Sequence, residues 1–162
     1  MKANDVIKIT IDMANEILTT YLSDMSDADL MVRSVPGANH IAWQLGHLVS
    51  SEQSMLSGAG FPMPGLPDGF ADSYTKETST SDDASKFHKK DEYLKLMAEQ
   101  RASTLAALAA LPEADLDKPS PEPMREYAAT IGALFNIVGI HVMMHAPQWV
   151  PVRRKLGKPV LI

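Results

Sequence analysis

The 162-residue chain predicts an all-α fold: a four-helix bundle with a long crossover connection between its second and third helices. Three observations carry that expectation. Apolar residues recur at three- and four-residue intervals in four separate segments, the signature of helices that bury one face. No segment shows the apolar–polar alternation of a strand. Prolines and glycines crowd into the stretches between the segments, where regular structure has to stop.

The first helix spans about Asn4 to Leu22, with Ile7, Ile11, Ala14, Leu18 and Leu22 on one stripe. The second spans about Asn39 to Ser57. Asn39 follows the Pro36–Gly37 turn and has the side chain of an N-cap, and Ile41, Leu45, Leu48 and Met55 form the stripe. From Gly58 to about Lys90, Pro62, Pro64, Gly65, Pro67 and Gly69 forbid a helix, and the residues that follow are short and polar. A connection of that length reaches from one end of a bundle to the other, which lets the second and third helices run parallel. It serves as a lid or a surface meander. The third helix runs from about Asp91, carries Leu94, Met97, Arg101, Leu105, Leu108 and Leu111, and stops at Pro112. The fourth is expected from Tyr127 to Lys155, with Gly157 and Pro159 beyond it. No repeat or internal boundary is visible, so residues 1–162 read as a single domain.

Composition narrows the function classes. There is no cysteine, which removes disulfides, thiolate metal sites and a cysteine nucleophile. A net charge of −5 without a basic block argues against nucleic acid as a partner. The best apolar run, Ile131 to Val150, is interrupted by histidines and ends in prolines, so no membrane span is expected. A cytoplasmic protein with a small-molecule substrate is the reading that remains.

The chemistry lies in the histidines. His141 and His145 continue the inward series Leu134, Val138, one helical turn apart on one face. Burying two imidazoles there is costly unless each finds a partner, and internal hydrogen bonds or a metal ion would both serve. On the second helix His47 lies at the edge of the buried stripe. His40, two turns earlier, lies about 10 Å along the axis, too far to share one ion, and is expected at the rim or in solvent. Trp43 is either core or the wall of a pocket beside His47. His40 and Trp43 are the candidates for substrate contact. Glu52 is expected on the exposed face, Met143 and Met144 in the core, and Arg153 and Arg154 at the negative end of the helix dipole. No catalytic residue can be assigned.

One histidine from the second helix and an i,i+4 pair from the fourth, the segment Gly46–His47–Leu48, the segment His141-Val-Met-Met-His145-Ala-Pro-Gln148, and the tail Arg153–Arg154–Lys155–Leu156–Gly157–Lys158–Pro159 together resemble the DinB-like family of four-helix proteins. The resemblance covers nearly the whole chain. It implies that His47, His141 and His145 bind a divalent metal ion, nickel or zinc. It further implies either a transferase joining a low-molecular-weight thiol to an electrophile or a thiol-dependent isomerase, acting as a homodimer. A metal-dependent hydrolase and a non-catalytic small-molecule-binding stress protein are the alternatives. Three imidazoles leave a dipositive ion with an open position and do not select among zinc, nickel, copper and iron. The chain departs from the family at Pro147, where a glycine is usual. Pro147 and Pro151 should break or tighten the helix just beyond His145, which puts any role for Gln148 in doubt.

Overall fold

The computed structural model describes residues 1–122 and 124–161, and these are all-helical; their single β-type pairing is an isolated bridge between Pro119 and Thr130. In chain order the helices are α1 (Ala3–Leu22), α2 (Asp27–Leu30), α3 (Ile41–Gly58), α4 (Lys90–Ala110), α5 (Ile131–His145) and α6 (Trp149–Lys155). The four long ones form a ring in which α1 packs on α5 and α4, and α3 packs on α4 and α5.

Side-chain pairs give the directions. Asn4 donates to the carbonyls of Leu108 and Leu111 at one end of α1, and Leu18 borders Leu94 and Met97 at the other. Helices α1 and α4 are therefore antiparallel. Along α3, Gly46 meets the ring of Tyr74, whose hydroxyl bonds Tyr93 on α4, while Glu52 bonds Arg101 and Thr104. Both series ascend, so α3 and α4 run parallel and the connection between them crosses the length of the ring, as its composition suggested. It is not featureless: short 3-10 turns occupy Ala71–Tyr74, Thr78–Thr80 and Ala84–Lys86, and Phe70 and Tyr74 are buried.

The apolar stripe of α1 is buried as expected, at Ile7, Ile11, Ala14, Leu18 and Leu22. Burying each of the large aliphatic side chains contributes about 1.5–3 kcal/mol. The inward face of α4 differs from the apolar pattern. Its centre is Tyr93, Gln100 and Thr104, each with no exposure, with Arg101 beside them. Polar residues hold that face because each finds a partner: Arg101 and Thr104 bond Glu52, and Gln100 donates to the Pro64 carbonyl. Glu52 is thus buried and not solvent-exposed, its carboxylate placed 3.0 Å from Arg101.

Helix α5 begins at Ile131 and not at Tyr127. Thr130 caps it by accepting from the Ala133 amide, and the residues before it pair instead with the preceding loop: Ser120 N–H donates to Ala129 O, and Ile131 N–H to Lys118 O. The expected break after His145 is present. Ala146–Gln148 forms a 3-10 turn and the helix restarts at Trp149. That restart puts Pro151 in the first turn of α6, where its missing N–H costs nothing. Arg153 is fully buried, held by both carboxylate oxygens of Asp24 and by the carbonyls of Tyr21 and Pro159. It clamps the C-terminal segment to the end of α1 and does not sit in solvent at the helix dipole.

Candidate metal centre

Helices α3 and α5 run antiparallel where they meet, and His47 faces His141 and His145 across that contact. Nε2 of His47 lies 3.2 Å from Nε2 of His141, which lies 3.2 Å from Nε2 of His145. One ligand atom from each ring falls within 4.8 Å of the other two. The three residues are half-buried, between two apolar clusters: Val138 belongs to one and Val142 to the other.

The proton positions follow from the neighbours. Gln44, one turn before His47, donates its amide N–H to the Asn39 carbonyl at 2.8 Å. Its Oε1 accepts from the indole N–H of Trp149 at 2.9 Å, and an indole nitrogen can only donate. The same oxygen lies 3.1 Å from Nδ1 of His145, so that nitrogen must carry the proton. Nε2 of His145 is then a bare lone pair aimed at the other two rings. With His145 in this tautomer, neutral imidazoles cannot satisfy both 3.2 Å contacts, because His141 Nε2 cannot donate to His145 and accept from His47 together. One of the two contacts is thus left unmet by neutral rings, and a cation between them would satisfy it. A proton is a poor candidate at neutral pH: burial, then the neighbouring ring of His47, pushes His141 down to about 4. Burial, then His141 and His47, does the same to His145. His47 is also lowered by burial. The donor set fits a metal ion. A tetrahedral ion with nitrogen bonds of about 2.0–2.1 Å sets its ligand nitrogens about 3.3–3.4 Å apart, close to the two 3.2 Å separations through His141, with the third pair within 4.8 Å.

The other candidates occupy different places. Trp43 is buried and stacks on His47 at 5.0 Å, with the rings 8° from parallel. Its indole N–H donates to Thr75 O and Thr78 Oγ1 on the long connection. His40 is fully buried and not at the rim, because both ring nitrogens are used. Nδ1 accepts from the Trp43 amide and so caps α3 in place of Asn39, and Nε2 donates to Ser81 O. Neither residue lines the cleft that reaches the histidines. Gln148 donates to Met144 O on the exposed side. Met143 and Met144 are exposed, not core.

A cleft of about 640 Å³ opens beside His47 and His141, a size that suits a small molecule. Its walls include Ser50, Ser51 and Ser54 from α3, Tyr127, and Ile137 and Met144 from α5. Sequence reasoning missed Gln44 and Trp149, and the signal was available. Gln44 lies three residues before His47 and Trp149 four residues after His145, both spacings that share a helix face.

The model of the DinB superfamily matches residues 10–148. Among solved structures, the chain resembles one described as the conserved protein of locus from Enterococcus faecalis. The TM-score is 0.72 at 17% identity, over 98% of this chain and 99% of that one. At that identity the likeness speaks for the fold alone. No curated protein matches the chain.

Proposed function

The chain belongs to the DinB superfamily, and from that membership we propose that His47, His141 and His145 hold a divalent metal ion, nickel or zinc, and serve a transferase that joins a low-molecular-weight thiol to an electrophile. The observation that carries the reading is the convergence of three Nε2 atoms, one of them fixed as a lone pair by the Gln44–His145 hydrogen bond. A divalent ion there supplies Lewis acidity and lowers the pKa of a thiol it binds. The protein's own residues do the rest: Gln44 orients His145, Trp43 packs flat on His47, and the cleft admits substrate to one side of the cluster. The proposal extends to a four-helix bundle in which α5 and α6 count as one interrupted helix, forming a single domain, and to a cytoplasmic homodimer. Exposed apolar residues on the adjoining helices α1 (Val6, Ile9, Met13) and α5 (Ile140, Met143) support the dimer.

Metal analysis of tag-free protein, followed by turnover of chlorinated and epoxide electrophiles with a panel of thiols, tests the reading. Activity that survives His141→Ala refutes it. A second reading is favoured by the walls of the cleft, which among the described residues carry no carboxylate or lysine to act as acid or base beside the histidines. On that reading the centre binds a small molecule without turning it over. Ligand-dependent stabilisation with no product would establish it. Hydrolysis by a metal-activated water uses the same ligands and is scored in the same assays.

A further inference from the structure

The cleft beside the histidines has an unusual electrostatic character for a site expected to bind metabolites. Among the described residues, none that lines it is Asp, Glu, Lys or Arg. The polar atoms it offers are the hydroxyls of Ser50, Ser51, Ser54 and Tyr127 and the carboxamide of Gln53, set among Met55, Ile137 and Met144. Ser50 donates its proton to the Gly46 carbonyl, so its oxygen is left as an acceptor. Arg125, two residues from the lining residue Tyr127, is engaged elsewhere: it pairs with Glu122 and donates to the Ser120 carbonyl. The lining residues Ala71 and Tyr127 are followed and preceded in the chain by exposed acids, Asp72 and Glu126.

We infer that the cleft selects a molecule with an uncharged body, apolar on one side and able to hydrogen-bond on the other, and that it discriminates against ligands carrying a carboxylate beyond the atom that meets the histidine centre. This deepens the metal-centre reading and rests on it. A bound ion can neutralise one ionised donor atom at the inner end of the cleft. A second negative charge further out meets hydroxyls and methyl groups with no counter-ion, so any water it gives up on entering is not made good by an ion pair. Thiols of anionic peptide type are therefore poor fits, and neutral thiols good ones.

Cobalt-loaded protein with mercaptobutyramide and mercaptobutyrate tests the inference. The two share chain length and an alkyl thiol remote from the differing group, and the sulfur-to-cobalt charge-transfer band reports binding without turnover. The amide is expected to bind about tenfold tighter or better, the ratio set by one unpaired charged group. Ser54→Lys, a change at an exposed position, should raise the affinity of the acid and narrow the gap. Equal binding of acid and amide, or a gap that Ser54→Lys leaves unchanged, overturns the inference and leaves the metal centre standing. A cobalt spectrum that does not depend on His141 overturns the metal reading, and this inference with it.

Discussion

Gln44 is the residue on which the orientation of the cluster turns. Its amide is read unambiguously because a donor-only indole and an acceptor-only carbonyl lie at its two ends. Gln44→Leu removes the acceptor that fixes the His145 tautomer while keeping much of the volume. Loss of such an outer hydrogen bond typically lowers metal affinity 10–100-fold, measurable by competition with a chromophoric chelator; unchanged affinity would show that Gln44 does not orient the ring. Gly46 gives a second residue-scale prediction. A Cβ there would lie 2.1 Å from the Tyr74 ring, so Gly46→Ala forces the connection outward. Overpacking of this kind costs about 1–3 kcal/mol, to be read as a fall in the denaturation midpoint. The histidines themselves were legible, because a polar residue in an apolar series stands out. Glu52 and Arg153 were not. Each is polar and buried through a partner distant in the chain, and nothing local distinguishes such a residue from an exposed one.

The same limit shaped the elements. Helix α1 was legible to within a residue because its burial is wholly apolar. Helix α4 was placed correctly and Met97, Arg101 and Leu108 of its expected series are buried, but Tyr93, Gln100 and Thr104 share the inward face while Leu94 and Leu105 are only partly covered. The start of α5 was missed because Thr130 does the capping and the preceding residues pair with the 118–120 segment. The long connection is held by polar contacts that its composition hid. Tyr74 and Tyr93 hydroxyls lie 2.7 Å apart, Tyr74 also meets His88 Nδ1 at 2.6 Å, and Trp43 ties the segment to α3. Tyr93→Phe deletes one member of that network and is expected to cost about 1 kcal/mol. It should speed amide exchange in residues 71–88 and leave metal affinity unchanged. If exchange does not change, the hydroxyl network is not what holds the connection.

For the molecule as a whole, the buried histidines set a pH dependence whose sign is determined. An unfolded histidine takes up a proton near 6.5, whereas His141 and His145 resist protonation until about 4, with His40 and His47 lowered as well. Between those values the unfolded chain binds more protons than the folded one, so stability rises with pH across the window and is lost as pH falls from about 6.5 towards 4. Glu52 acts in the opposite direction, because burial raises its carboxyl above the usual carboxylate range and folding then favours its protonated form. It is one group against four, so the metal-free protein should lose stability through this window. His141→Leu removes one of the four and also relieves a crowded, incompletely satisfied cluster. The variant should show a shallower acid dependence and no loss of metal-free stability near neutral pH, although it binds no ion. In the parent, an ion at a hundredfold excess over its dissociation constant should add about 2.7 kcal/mol, and that increment should shrink as protons displace it. Denaturation midpoints of both proteins from pH 4 to 8, with and without zinc, measure all three effects. A variant as acid-sensitive as the parent would mean that the converging rings are not the origin of the pH dependence, and one stabilised by zinc to the same extent would mean that they are not the metal site.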